Sequence, residues 1–270
     1  MILQLILRPG DHGDQVLTLQ KQLNAAGFLV EVTHLYDDAT EKAVQAFQKS
    51  RGLVDDGIAG PKTQGALRGI QNPQHLGTAD LVKAADRLGV PLASVRAVNE
   101  VESRGLGMLP DGRPVILFER HVFWDRLKAH GIDPAGLTAV SRNILSQTPG
   151  GYAGGAAEYV RLATAAQVHW AAAVEATSWG AFQIMGHHWD DLAYPSLEAF
   201  QEAMERSEAD HLDAFVRFVL ADPALLAALK ARKWAAFAKI YNGPNYAKNL
   251  YDAKLAQAYA KYAPPAKAAA

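Results

Sequence analysis

Residues 100–107 read E-V-E-S-R-G-L-G, with two carboxylates, Glu100 and Glu102, just before a glycine-rich break. Pro91 opens the preceding helix at a favourable first position, and Leu92, Val95, Val98 and Val101 make its apolar stripe. At about 100° per residue, Glu102 falls inside that stripe, four after Val98 and seven after Val95, while Glu100 lies on the opposite, polar face. A carboxyl on the core side of a helix's carbonyl end is driven toward its neutral form by burial and by the helix dipole. A glycosidase general acid needs that state, with a pKa on the order of 6. The plainer alternative is a partly buried glutamate paired with Arg104 or Arg113. Glu100 reads as an ordinary solvated residue.

The chain continues G-L-G-M-L-P-D-G-R-P-V-I-L-F-E-R-H. Pro110-Asp111-Gly112 is a turn signal and Val115–Phe118 is β-prone, so a small hairpin is expected here. Glu119 follows at once. It is either a second carboxylate facing Glu102 across a groove, holding a water or a developing cation, or a residue that favours the N-terminus of the next helix. His121 reads as a structural hydrogen-bonding group. Further on, S-W-G-A-F-Q-I-M-G starts at Ser178 and reads as a helix. In it Gly180 and Ala181 allow close approach, and Gln183 offers a donor and an acceptor to an N-acetyl group. Phe182 and Ile184 belong to the core. In Y-N-G-P-N-Y, Gly243-Pro244 ends the helix K-W-A-A-F-A-K-I and leaves Tyr241 and Asn242 at a helix-to-loop edge; helix termination alone would explain the motif. Trp170, Trp179, Trp189 and Trp234 could stack on sugar faces, although most are expected in the core.

These residues need elements to hold them. The 270 residues carry a net charge of -1 and no cysteine. That length suits one large or two unequal domains. The charge gives no general pull toward nucleic acid or an anionic membrane. Without cysteine there are no disulfides, thiol nucleophiles or cysteine-ligated zinc sites. The opening M-I-L-Q-L-I-L reads as a short strand, since neither a basic start nor a small-residue cleavage site frames it as a secretory signal. Nothing approaches the roughly 20 apolar residues of a membrane span. The nine histidines include no H-E-x-x-H, and His187-His188 near Asp190 would diverge by about 100° on a helix, which disfavours a shared metal.

Residues 10–68 hold a loose duplication. Leu19-Gln20, Leu23 and Gly27-Phe28 in one half answer Phe47-Gln48 and Gly52-Leu53 in the other. Helices are expected over Gln15–Ala26 and Thr40–Ser50, with a third from Pro61. Residues 69–78 read as a linker, and Thr78 as the N-cap of a helix ending at Leu88 with Gly89 closing it. From there to Tyr262 the pattern is helical apart from 107–118, and 263–270 is a frayed tail.

The stretches G-D-Q-V-L-T-L-Q-K-Q-L-N-A-A-G-F and A-T-E-K-A-V-Q-A-F-Q-K-S-R-G-L-V-D-D-G-I-A-G-P-K-T resemble the peptidoglycan-binding domain family found beside cell-wall hydrolases. One departure is H-L-Y-D-D, where that family has a glycine-led turn. V-E-S-R-G-L-G-M-L-P-D-G-R-P-V-I-L-F-E-R-H-V-F, T-S-W-G-A-F-Q-I-M-G-H-H-W and Y-N-G-P-N-Y together resemble the phage-type N-acetylmuramidase family, the catalytic part of modular endolysins. The serine-tryptophan segment is also similar to that of soluble lytic transglycosylases and goose-type lysozymes.

The resemblance implies a mostly α protein, with a small three-helix peptidoglycan-binding domain at 1–68, a linker at 69–78 and a larger lysozyme-like helical domain with a short β-hairpin at 79–262. It implies Glu102 as catalytic acid, Tyr241 and Asn242 at the cleft border, and cleavage of the β-1,4 bond between N-acetylmuramic acid and N-acetylglucosamine. Catalytic roles fall on Glu102 and Glu119, substrate contacts on Ser178, Gln183, Tyr241 and Asn242. No metal or cofactor is expected. The expected partner of this monomer is bacterial peptidoglycan, with neither nucleic acid nor stable membrane binding. The protein would wait in the host cytoplasm and meet periplasmic peptidoglycan after release. A lytic transglycosylase, a zinc peptidase or amidase, and a non-catalytic wall-binding protein are the competing readings.

Overall fold

A computed structural model describes residues 6–103, 106–137, 140, 142–244 and 246–264. The chain divides into two units between Val82 and Lys83. The first is built on α1 (Asp14–Ala25), α2 (Asp38–Ser50) and α3 (Pro61–Leu67), each within two residues of its expected start. Pro61 is the first residue of α3, and Asp37 caps α2 by accepting from the Thr40 N–H at 2.8 Å. Val16, Leu19, Leu23, Val44 and Phe47, spaced at three and four along α1 and α2, fill the core beside Tyr36. Residues 1–5 of the expected strand lie outside the described residues; Leu7 bridges antiparallel to Ala59.

The duplication has a physical basis. Gln20 and Gln48, both buried, each reach from one helix into the loop that follows and on to a threonine in the next helix. Gln20 Nε2 donates to the Leu35 carbonyl at 3.0 Å and Thr40 Oγ1 at 2.9 Å. Gln48 Nε2 donates to the Ile58 carbonyl at 3.0 Å and Thr63 Oγ1 at 3.0 Å. In the loop that lacks the family's glycine, His34 takes the left-handed φ of 63° instead.

The boundary between the units falls within α4 (Thr78–Leu88). Thr78 is the first helical residue and not the cap. Its hydroxyl donates to Asp55 at 2.7 Å, and the Asp80 carboxylate takes the Gly77 N–H at 3.1 Å.

The second unit continues with α5 (Leu92–Glu102), β1 (Ile116–Phe118), α6 (Arg120–Ala129), α7 (Glu158–Glu175), β2 (Thr177–Trp179) and β3 (Ile184–Met185). It ends with α8 (Leu197–Arg206), α9 (Glu208–Ala221), α10 (Pro223–Lys230), α11 (Trp234–Asn242) and α12 (Tyr251–Tyr262). Pro91 is the cap of α5, one residue before its expected place. Ser196, Ser207 and Asp222 cap α8, α9 and α10 through their side chains.

The expected turn at Pro110-Asp111-Gly112 closes a minimal hairpin, in which Met108 bridges antiparallel to Pro114 and the Leu109 N–H donates to the Arg113 carbonyl at 2.7 Å. Ile116–Phe118 beyond it is a strand that pairs antiparallel with Thr177–Trp179, far along the chain. Two expectations need correction. The hairpin of this sheet is β2–β3, inside the segment expected to be a helix. The left-handed φ of Gly180 (71°) and Gln183 (51°) reverses the chain there, which no helix permits. Among the described residues of 130–157, helical structure is limited to two single 3-10 turns, Pro134–Gly136 and Gly155–Ala157, because prolines and glycines interrupt the apolar period.

The tryptophans also depart from expectation. Trp179 is fully buried, edge-on to Phe200 at 6.5 Å, but Trp189 and Trp234 are half-buried and Trp170 is exposed. α7 is kinked at His169 (φ -162°, ψ 108°), and Trp170, the next residue, is left facing solvent.

Candidate active site

The second unit contains a cleft of about 720 Å³. Glu102, Glu119, Ser178, Gln183, Tyr241 and Asn242 all line it. The end of α5, the β1–α6 junction, the β2–β3 hairpin and the end of α11 each supply part of the wall.

Glu102 is the last residue of α5 and half-buried. Asn242 Nδ2 donates to its Oε1 at 3.0 Å. Arg104 lies outside the described residues. Arg113 is engaged elsewhere, with Nη2 2.6 Å from Asp111 and its guanidinium 4.1 Å from the Tyr159 ring centre. Glu100 is exposed and accepts from the Tyr262 hydroxyl and from Lys261 Nζ.

Beside Asn242, the Tyr241 hydroxyl donates to the Phe182 carbonyl at 2.8 Å. Its ring lies among Phe215, Phe218 and Phe237. Burial, then the nearby Glu102 charge, push this phenol well above the ordinary tyrosine value. It stays protonated and anchors the hairpin turn to α11.

Ser178 and Gln183 tie that hairpin together. The Ser178 hydroxyl donates to Gln183 Oε1 at 2.8 Å, and Gln183 Nε2 donates to the Gly180 carbonyl at 2.8 Å and the Val115 carbonyl at 3.4 Å. Both amide hydrogens are thus used, which leaves Gln183 acceptor capacity on Oε1. His211, buried in α9, underlies the turn: its Nδ1 takes the Ala181 N–H at 3.1 Å and its Nε2 bonds the Met204 carbonyl at 2.6 Å. The Glu208 carboxylate takes the Gly107 N–H at 2.9 Å.

Glu119 occupies the cap position of α6, yet its side chain does not cap the helix. The Tyr152 hydroxyl donates to both carboxylate oxygens, at 2.9 and 3.1 Å, and His121 Nδ1 lies 3.3 Å from Oε2. Glu119 thus precedes the helix without capping it, and its carboxylate lines the cleft. Behind it, Glu158 and Arg161 form a buried pair. Burial pushes the Glu158 carboxyl up, but the N–H groups of Gly154, Ala153 and Phe118 and the Arg161 guanidinium outweigh it and hold the carboxyl below the ordinary range.

Tyr251, His188 and Phe218 also line the cleft and were not among the expected residues. His187 and His188 do not diverge. In the 3-10 turn Gly186–His188 their rings lie 4.2 Å apart, and burial lowers the pKa of both. Among the described residues, no group of three or more His, Asp or Glu side chains could hold a metal ion. The sequence signal for Glu158 and Arg161 was present. Both sit on the Leu162–Ala165 face of α7, charges in an apolar stripe just as Glu102 is.

Family models match both parts of the chain. The N-acetylmuramidase model covers residues 91–263, and one described as "Putative peptidoglycan binding domain" covers 12–67. Two amidases of Bacillus licheniformis match over a short stretch. N-acetylmuramoyl-L-alanine amidase CwlL is 46% identical over 68 residues and a probable N-acetylmuramoyl-L-alanine amidase 42% over 66 residues. These cover 24% and 23% of this chain, which spans 19% of the length of each amidase. The crystal structure of a Burkholderia AP3 phage endolysin is similar throughout, with a TM-score of 0.89 and 58% identity over 95% of this chain and 97% of that one. The chain belongs to the N-acetylmuramidase family.

Proposed function

We propose that Glu102 is the general acid with which this lysozyme-type glycoside hydrolase cleaves the β-1,4 bond between N-acetylmuramic acid and N-acetylglucosamine in peptidoglycan. The Glu102 carboxyl gives its proton to the bridging oxygen as the C1–O bond breaks. Glu119 across the cleft stabilises the cation-like sugar and takes a proton from the water that attacks C1. Ser178, Gln183, Tyr241 and Asn242 shape the walls and orient the N-acetyl groups. Residues 1–68 hold the wall, 69–78 link, and 79–262 cut. The protein works as a monomer, without a metal and without binding nucleic acid or membrane, on periplasmic peptidoglycan once released from the host cytoplasm.

The observation that carries this reading is the convergence of Glu102 and Asn242 from opposite ends of the unit on a cleft that also holds a second carboxylate. Loss of a general acid typically costs about 10²–10⁴ in rate. Glu102→Gln is expected to lose lysis of outer-membrane-permeabilised cells to that extent while keeping the melting temperature. Mass spectrometry of the wild-type products should show a reducing muramic end. An anhydro-muramic end would make the protein a lytic transglycosylase, and unchanged lysis by the variant would remove Glu102 from the chemistry.

A further inference from the structure

One buried carboxylate ties together the two chain segments that meet at Glu119. Glu158 Oε1 accepts from the N–H groups of Ala153 (2.5 Å) and Gly154 (2.9 Å). Its Oε2 accepts from the Phe118 N–H (3.2 Å) and from Arg161 Nη1 (2.6 Å). Phe118 immediately precedes Glu119, and Ala153 immediately follows Tyr152, whose hydroxyl grips Glu119. The same Arg161 donates to the Phe118 carbonyl at 2.8 Å and the Asn143 carbonyl at 2.8 Å. Arg120 holds the intervening loop through the carbonyls of Arg142, Thr148 and Pro149.

We propose that Glu158 is a positioning residue of the active site: its two oxygens fix the backbone on either side of the Tyr152–Glu119 contact, so that the phenol meets the carboxylate in one geometry. This rests on the reading that Glu119 acts in the reaction. An ionised carboxylate suits the task because every group around it is a donor, and it can accept four hydrogen bonds where an amide would turn one end the wrong way. Phe118 ends β1 and Ala153 lies on a loop more than thirty residues on, so without the bracket nothing in the local sequence would align them.

The test uses the full chain and soluble glycan-strand oligomers of alternating N-acetylglucosamine and N-acetylmuramic acid. Steady-state kcat and KM and melting temperature are measured for Tyr152→Phe, Glu158→Gln, the double variant and Glu119→Gln. Tyr152→Phe should lower kcat about tenfold, the worth of a hydrogen bond to a charged group, with KM and melting temperature nearly unchanged. Glu158→Gln should lower kcat at least as far, and adding Tyr152→Phe to it should cost less than about threefold more, because the phenol is already displaced. Independent, multiplying losses would overturn the proposal. If Glu158→Gln fails to fold, Tyr152→Phe decides: a lowered kcat supports the bracket, an unchanged one overturns it. Full activity in Glu119→Gln would remove the reading beneath the proposal. An inactive Glu119→Gln with an unaffected Tyr152→Phe removes the bracket alone.

Discussion

Asn242 donates to Glu102 across 3.0 Å, joining the last residues of α11 and α5 over 140 positions of sequence. The amide gives Oε1 a neutral donor. In the role proposed for Glu102, this bond orients the carboxyl without adding a charge. Asn242→Ala is expected to lower kcat about tenfold on soluble glycan oligomers, the equivalent of about 1.5 kcal/mol. KM should change little, since the bond orients the acid and does not hold the sugar. An unaltered kcat would show the contact to be incidental.

The hairpin turn tolerates no side chain at Gly180. A Cβ there would stand 2.5 Å from His211 Cγ, and the φ of 71° already disfavours any L side chain. His211 cannot retreat, because both its ring nitrogens are bonded within the core. Gly180→Ala should therefore destabilise the protein by about 3 kcal/mol or more, read as a fall in melting temperature. Gly107→Ala, crowded by the same imidazole at 2.7 Å but without a left-handed φ, should cost less. The reverse ranking would mean that backbone strain is not what matters at the turn.

Acid should unfold the second unit through its buried carboxylates. Glu158 and Glu175 are both held below the ordinary glutamate value of 4.5. For Glu175, burial works upward, but Arg126 and His130 more than offset it. A carboxyl depressed in the folded state lends stability that is fully present above its unfolded value and is lost as pH falls through the folded one. The melting temperature should accordingly drop increasingly steeply below about pH 4.5. The gap between wild type and Glu175→Gln should be widest at neutral pH and shrink toward pH 3. A gap constant across that range would contradict the assignment.

In the first unit, Gln20→Ala should orphan the His34 and Thr33 N–H groups, which Gln20 Oε1 now accepts at 3.2 and 3.1 Å. A cost of about 2–3 kcal/mol is expected from the stranded donors. Pelleting with intact sacculi should weaken in this variant, while turnover of short soluble glycan oligomers stays at the wild-type rate. Parallel loss of both would tie catalysis to the first unit.

Helices with sustained apolar periods were readable because their burial repeats within a turn or two: α1, α2 and α4 begin within two residues of expectation. Glu102 was readable for the same reason, as a charge inside a stripe. Glu119 was visible as a carboxylate but not its partner, since Tyr152 reaches it from a loop with no period at all. The β2–β3 hairpin was misread as a helix. Its small and apolar residues suit either state, and the deciding terms, pairing with β1 and the buried His211 beneath the turn, are both remote in sequence. His34 shows the converse: the missing glycine predicted a different loop, yet the chain adopts the left-handed angle with a histidine in its place.

The sheet that forms one cleft wall pairs Ile116–Phe118 with Thr177–Trp179, so its first strand has no partner until the chain has returned from an excursion of some sixty residues. Loop closure over that span must come before any wall exists. An unfinished chain therefore has no partial groove to offer: the walls close only when the last helices dock and Asn242 meets Glu102.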